Sequence, residues 1–197
     1  MALAPQFAGH RLGAAAAPHT FEFYLDYLCP FSAKIYKKFR QEIWPYIEET
    51  YPNKVQVIFR QQVQAWHAFS TLAHEAALAV EKIDPTKFYA FSDVLFQHQE
   101  EFFDVAVENK TRKELLGELA KLAESVGISG EKFTNLLLNK EGNVGNSVTP
   151  DLKLCVKLGR QTGIHVSPTV LLDGLQENSI SSGWELDQWK DYLKSKL

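Results

Sequence analysis

Cys29, Pro30, Phe31 and Ser32 stand in a row where an apolar, strand-like run over residues 21–26 gives way to a long helical pattern. This order predicts a thiol at the start of a helix, where backbone N–H groups without partners and the helix dipole favour negative charge. A thiolate held there attacks a disulfide sulfur and forms a mixed disulfide. Three residues on, where a dithiol site would carry its second sulfur, the chain has Ser32. A neutral hydroxyl without an adjacent base is a poor nucleophile, but its O–H can donate to a thiolate. Cys29 and Ser32 are therefore the candidate catalytic pair. The bland alternative is a buried, inert cysteine, since free cysteine is among the most buried residue types.

The elements that must hold this junction follow from the hydrophobic periodicity. Residues 21–26 read as a strand. Pro30 suits a first helical turn, and Phe31, Ile35, Phe39, Ile43 and Ile47 recur at i+4 along a helix to about residue 50 that Pro45 should kink. After a break at Pro52-Asn53, Val55, Val57 and Phe59 mark a second strand. Strand, helix and strand make a right-handed βαβ unit with parallel strands. Residues 66–163 then read almost entirely as helix, with segments at 71–83, from 84–85 onward, 111–127 with a Thr111/Glu114 capping box, 129–138 and 143–159. The tail returns to sheet: a strand at 169–172, a turn at Asp173-Gly174, a second strand at 178–181, and an amphipathic helix at 184–197. The expected organisation is a mixed α/β unit at 20–63 and 164–197, an inserted helical domain at 64–163 capping one side of the sheet, and an N-terminal arm at 1–19.

Whole-chain properties narrow the function classes. The 197 residues carry a net charge of -3, which supplies no electrostatic pull toward nucleic acid or an anionic membrane. No apolar run approaches the ~18–20 residues of a membrane-spanning helix. Two cysteines make no disulfide framework, and the first twenty residues lack the pattern of a secretory signal. One arginine, Arg11, gives a mitochondrial presequence thin support. A reducing, cytoplasmic setting is the expectation. The histidines show no paired metal-ligand spacing, so neither a metal nor a tightly bound cofactor is expected.

The skeleton and two local signals resemble the DsbA-like branch of the thioredoxin fold, an α/β architecture in which a large all-helical insertion interrupts the βαβ…ββα unit. The signals are the strand–Cys29-Pro30-Phe31-Ser32–helix junction and Val166-Ser167-Pro168-Thr169 just before a strand. The latter resembles the family's cis-proline loop. That resemblance implies that Pro168 faces the thiol and that the Ser167 backbone pairs with an extended peptide or glutathione. Pro30 and Phe31 would join this substrate-binding surface. Arg60, beyond the carboxyl end of the second strand, could hold a substrate carboxylate; the alternative is a solvated surface arginine. His67 opens the insertion and resembles the segment that approaches the active site in relatives. It is read first as a structural histidine, and second as a group that could tune Cys29 or relay a proton. Cys155, among Leu152, Leu154, Val156 and Leu158, reads as a core or interface cysteine.

The sequence departs from the family's Cys-x-x-Cys at Ser32. Kappa-class glutathione transferases and chromene-carboxylate isomerases share the architecture with Ser-Pro-x-Ser, and this chain lies between the two patterns. The favoured expectation is a monothiol oxidoreductase acting through Cys29, with glutathione or protein thiols and disulfides as partners. The alternatives are a glutathione-dependent transferase or isomerase of the kappa type and a redox-inactive peptide- or protein-binding module. A homodimer is compatible with all three.

Overall fold

The computed structural model describes residues 9–197; residues 1–8 of the expected arm lie outside the described residues. Five strands form one sheet in the order β1-β3-β2-β4-β5. They are β1 (Arg11–Gly13), β2 (His19–Leu25), β3 (Val55–Gln61), β4 (Thr169–Leu172) and β5 (Leu175–Gln176). β2 and β3 are parallel, with Phe21 opposite Val57 and Phe23 opposite Phe59. β1, β4 and β5 pair antiparallel with their neighbours. This is the expected βαβ and ββα skeleton of a DsbA-like thioredoxin fold, with one strand more than the sequence pattern announces. β1 has only three residues, preceded by His10 and ended by Gly13, both at positive φ. A Cβ on Gly13 would stand 2.8 Å from the Val55 carbonyl oxygen, so the close approach of β1 to β3 requires glycine there.

The long first helix is three pieces: α1 (Pro30–Lys38), a π-helical turn (Phe39–Ile43) and α2 (Trp44–Thr50). Pro45 has no N–H to offer the preceding turn. The chain accommodates it by widening that turn, and Trp44 N–H bonds to the Phe39 carbonyl five residues back. The result is a π-bulge in place of the expected kink. It also explains the strict i+4 stripe. In a regular helix of 3.6 residues per turn such a stripe drifts by roughly 40° per step, and the wider turn takes up part of that drift. Ile35, Phe39, Ile43 and Ile47 are all buried against the sheet, whereas Phe31, at the exposed start, is 64% exposed.

The helical block contains α3 (Ser70–Ile83), α4 (Phe88–Gln97), α5 (Asp104–Val107), α6 (Arg112–Ser125), α7 (Gly130–Leu137) and α8 (Thr149–Gln161). α6 begins at the expected capping box. α8 starts six residues later than its sequence pattern suggests. Asn146 turns the chain by accepting the N–H groups of Val148 and Thr149, and Pro150 then sits in the first helical turn. The second hairpin strand also lies earlier than the expected 178–181. Asp173 and Gly174 adopt φ of 52° and 83°, the two positive values of a two-residue type I′ turn, so pairing resumes at once at Leu175. The chain closes with α9 (Leu186–Lys196).

One sheet face, with Phe21, Phe23, Leu25, Val57, Phe59, Val170 and Leu172, belongs to a single continuous core with α1, α3, α4 and α9. Trp189 of α9 lies against Phe21, Phe23 and Phe39, with ring centroids 6.0–6.3 Å apart. The other face is smaller: Tyr24, Leu171 and Ile164 cluster there. Among the described residues no helix is long and apolar enough to cross a membrane.

Candidate active site

The junction between β2 and α1 is made by Asp26. Its backbone carbonyl accepts the Cys29 N–H at 3.1 Å, and its own Oδ1 accepts the Leu28 N–H at 2.8 Å. An aspartate turned onto the amide two residues ahead closes a tight turn, which ends β2 and delivers Cys29 to the N-cap position of α1. Pro30 follows within the first helical turn, and the Ala33 N–H bonds back to the Cys29 carbonyl at 3.0 Å. The sulfur thus stands at a helix N-terminus with no side-chain cap competing for its place.

Opposite it is the loop before β4. The Ser167–Pro168 peptide bond is cis, and Cys29 Sγ donates to the Ser167 carbonyl at 3.4 Å. The chain therefore brings together two motifs 138 residues apart. Cys29 itself is 6% exposed, while Phe31 (64%), Trp66 (66%), Val105 (87%) and Val166 (45%) keep large apolar surfaces in water. Phe31 and Val166 adjoin the Cys29 turn and the cis-proline loop in sequence. Val105, with Pro30, His67 and Phe103, lines a cleft of about 340 Å³ at the start of α1. Phe31, Val166 and Val105 thus leave an exposed apolar rim beside the Cys29 turn, the cis-proline loop and the cleft at Pro30.

Two sequence expectations need correction. The first gives the Ser32 hydroxyl to the sulfur as a donor. Ser32 is fully buried and accepts the Asp26 N–H at 3.2 Å, and no hydrogen bond joins it to Cys29. Its geometry fixes the turn. The second gives Arg60 to a substrate carboxylate. Arg60 is 7% exposed, and its Nε donates to Glu22 Oε2 at 2.6 Å. Arg60 stands opposite Tyr24, two residues beyond Glu22 on the same sheet face. Arg60 borders a cavity of about 240 Å³ with Tyr24, Leu158 and Cys155, which Cys29 does not line. Burial pushes the Cys155 thiol up to about 11, so it stays protonated and unreactive at neutral pH. Both cysteines are free.

Sequence reasoning missed the polar centre beneath the sulfur. Asp26 has no exposed surface. Besides Leu28 N–H, its carboxylate accepts the Gln64 N–H at 2.9 Å and the Ser70 hydroxyl at 2.9 Å, and His67 Nδ1 lies at 2.9 Å. His74 Nε2 stands 3.6 Å away, at ion-pair distance, while its Nδ1 faces the Gln61 side chain. His67 therefore belongs to the site, joined to Asp26, and it lines the cleft beside Pro30. From the helical block, Gln99 Nε2 donates to the carbonyls of Tyr27 and Cys29, at 2.6 and 3.0 Å. The signal for Asp26 was in the chain: a carboxylate at the end of an apolar strand, three residues before a helix start. Its partners on the loop after β3 and on α3 lie 38–44 residues away. Among the described residues no cluster of three or more His, Cys, Asp or Glu side chains is placed to hold a metal ion.

Burial would push the Asp26 carboxyl up. The His74 imidazole, the Leu28 N–H and His67 outweigh it and hold the group at about 2, below the ordinary 3.8. A carboxyl lowered by folding stabilises the fold above its unfolded value, and that contribution is lost as pH falls through its folded value. The gap corresponds to about 2 kcal/mol. Urea unfolding at about pH 5 and about pH 2 should therefore show a fall in stability that Asp26→Asn reduces by roughly this amount. An equal fall in the variant would show that other carboxyls carry the acid sensitivity.

The profile of a family described as thioredoxin matches residues 6–194. No curated protein sequence matches the chain. Among solved structures, a candidate protein-disulfide isomerase from Pseudomonas syringae superposes with a TM-score of 0.76 at 25% identity, covering 95% of this chain and 99% of that one. Oxidised BdbD from Bacillus subtilis gives 0.70 at 25% identity, with 95% and 92% covered. The thiol-disulfide exchange protein alpha-DsbA2 from Wolbachia pipientis gives 0.67 at 18% identity, with 96% and 89% covered, a likeness of fold.

Proposed function

The chain belongs to the thioredoxin family, and from that premise we propose that it is a thiol–disulfide exchange protein working through one sulfur, Cys29, with glutathione or another external thiol completing the cycle. Solved structures at 25% identity along nearly the whole chain, a candidate protein-disulfide isomerase and BdbD, support the general redox role. The observation that carries the single-sulfur reading is the contact of Cys29 Sγ with the Ser167 carbonyl in a site whose fourth position is a buried serine. No second thiol stands within the Cys29–Ser32 turn, and Cys155 lines a separate cavity.

In the forward step the Cys29 thiolate attacks one sulfur of a partner disulfide. A Cys29–partner disulfide forms and the partner's other sulfur leaves as a thiolate. Ser32 cannot attack that bond, so a glutathione thiolate does. It regenerates Cys29 and carries the partner away as a glutathione mixed disulfide, so electrons balance without another oxidant. Ser167 would align an extended substrate through its backbone, with Pro168, Pro30 and Phe31 forming the apolar contact surface. His67 and the buried Asp26 would keep the turn in place. The exposed apolar rim favours protein thiols and disulfides as the partners.

The test is mass spectrometry of the reduced protein after exposure to glutathione disulfide. One glutathionyl group per chain is expected, on Cys29, with Cys155 unmodified and no adduct in Cys29→Ser. An adduct on Cys155, or none at all, overturns the proposal. Glutathione-dependent turnover that survives in Cys29→Ser would transfer the assignment to the transferase class.

A further inference from the structure

A groove of about 700 Å³ runs between α8 and the loop after β3, and its lining includes Gln64, Trp66, Lys153, Lys157, Arg160 and His165. Its size falls within the range of ligand-binding clefts. His165 lies two residues before Ser167, whose carbonyl touches the Cys29 sulfur; two residues of chain span at most ~7 Å. Trp66 adjoins His67, with the two rings 6.0 Å apart. The groove runs along α8, and its His165 end is two residues of chain from the loop that touches the sulfur.

Its charge is one-sided. Lys153, Lys157 and Arg160 follow one another by four and three residues, the spacing of one helix face. All three are exposed, and none makes an ion pair with a carboxylate among the described residues. Their concentration here contrasts with a net charge of -3 for the chain. The acid in the lining, Glu75, is 6% exposed and already accepts hydrogen bonds from Asn146 and Thr149. A second observation points to an occupant. Gln64 is 3% exposed, its backbone N–H is held by Asp26, and its side-chain Nε2 is buried with no acceptor among the described residues. A buried donor left unpaired costs about 1–3 kcal/mol, and a turn of the Gln64 side chain into the groove it lines would bring that donor to a peptide carbonyl or carboxylate seated there. From Lys153 to Arg160 the helix rises about 10 Å, roughly three residues of extended chain.

Resting on the exchange reading above, we propose that this groove seats an acidic, extended segment of the protein partner, next to the cysteine that exchanges with Cys29. The test uses two synthetic peptides of equal length, each carrying its cysteine as a disulfide with thionitrobenzoate and differing only in Asp-rich or Lys-rich flanks. Cys29 attacks the peptide sulfur, a Cys29–peptide disulfide forms, and thionitrobenzoate leaves as its coloured anion. At low ionic strength the Asp-rich peptide is expected to react at least about tenfold faster. Replacing Lys153, Lys157 and Arg160 together by glutamine should bring the ratio below about threefold while leaving the rate with the uncharged disulfide of 2-mercaptoethanol unchanged. Equal rates for the two peptides, or a ratio that survives the triple replacement, overturns the proposal. So does a variant slowed with glutathione disulfide alone, which would make the groove a tripeptide site. If Cys29 fails to react even with the uncharged disulfide, the exchange reading falls. Fluorescence anisotropy with an Asp-rich peptide lacking its cysteine then still decides the groove: binding weakened about tenfold in the variant supports it, and unchanged binding refutes it.

Discussion

Asp26→Ala is expected to lower the unfolding free energy by about 3–5 kcal/mol, a third or more of a typical domain's stability. The carboxylate is fully buried and holds the N–H groups of Leu28 and Gln64, the Ser70 hydroxyl and the His67 ring. Alanine would leave these groups facing a void, each at the cost of a buried polar group without a partner. Asp26→Asn keeps the shape and one acceptor but turns an NH2 toward Gln64 N–H or Ser70, so a loss of about 2–3 kcal/mol is expected. Urea unfolding checks both. The midpoint should fall with the slope unchanged, and a change below about 1 kcal/mol for the alanine variant would mean that water replaces the carboxylate freely.

Ser32→Cys should change the order of the reaction. In the native chain, release of a partner from Cys29 is expected to rise linearly with external thiol, because nothing in the first turn of α1 can attack the mixed disulfide. A sulfur at position 32 lies three residues along the helix from the first, within disulfide reach. Release should then become independent of added thiol and at least about a hundredfold faster than in the parent at ~1 mM glutathione, since the attack is intramolecular. The variant would accumulate an internal disulfide between Cys29 and the introduced sulfur, visible as the loss of two titratable thiols. A release rate still proportional to glutathione would show that the first turn cannot close on itself. Ser32 is buried beside the Asp26 N–H, so the larger sulfur is also expected to cost about 1–3 kcal/mol from overpacking.

The parts of this protein legible in its sequence are those determined by neighbours in the chain. Cys29-Pro30 announces a helix start, Thr111 and Glu114 announce α6, and alternation in 55–59 announces β3. The contact of Cys29 with Ser167 is legible only through family resemblance, because no local rule links residues 138 apart. Asp26 is hidden for the opposite reason. Its local role as a turn former is readable, but the donors that make it a buried centre come from Gln64, His67 and Ser70, which no periodicity connects to it. Arg60 misleads because a strand-end arginine looks solvent-facing until the register with β2 puts Glu22 on the same face. The π-turn at Phe39–Ile43 could have been suspected: an i+4 stripe kept for sixteen residues has too long a period for an ordinary helix.

Gln99 bears on how the two halves of the molecule can move. Its amide grips the carbonyls of Tyr27 and Cys29 from within the inserted half. A hinge that swung the insertion away from the sheet would have to break both bonds or pull the sulfur's own peptide plane out of line. Any motion at this end is thus left to the outer rim, and the insertion acts as the anvil against which the Cys29 peptide is held still.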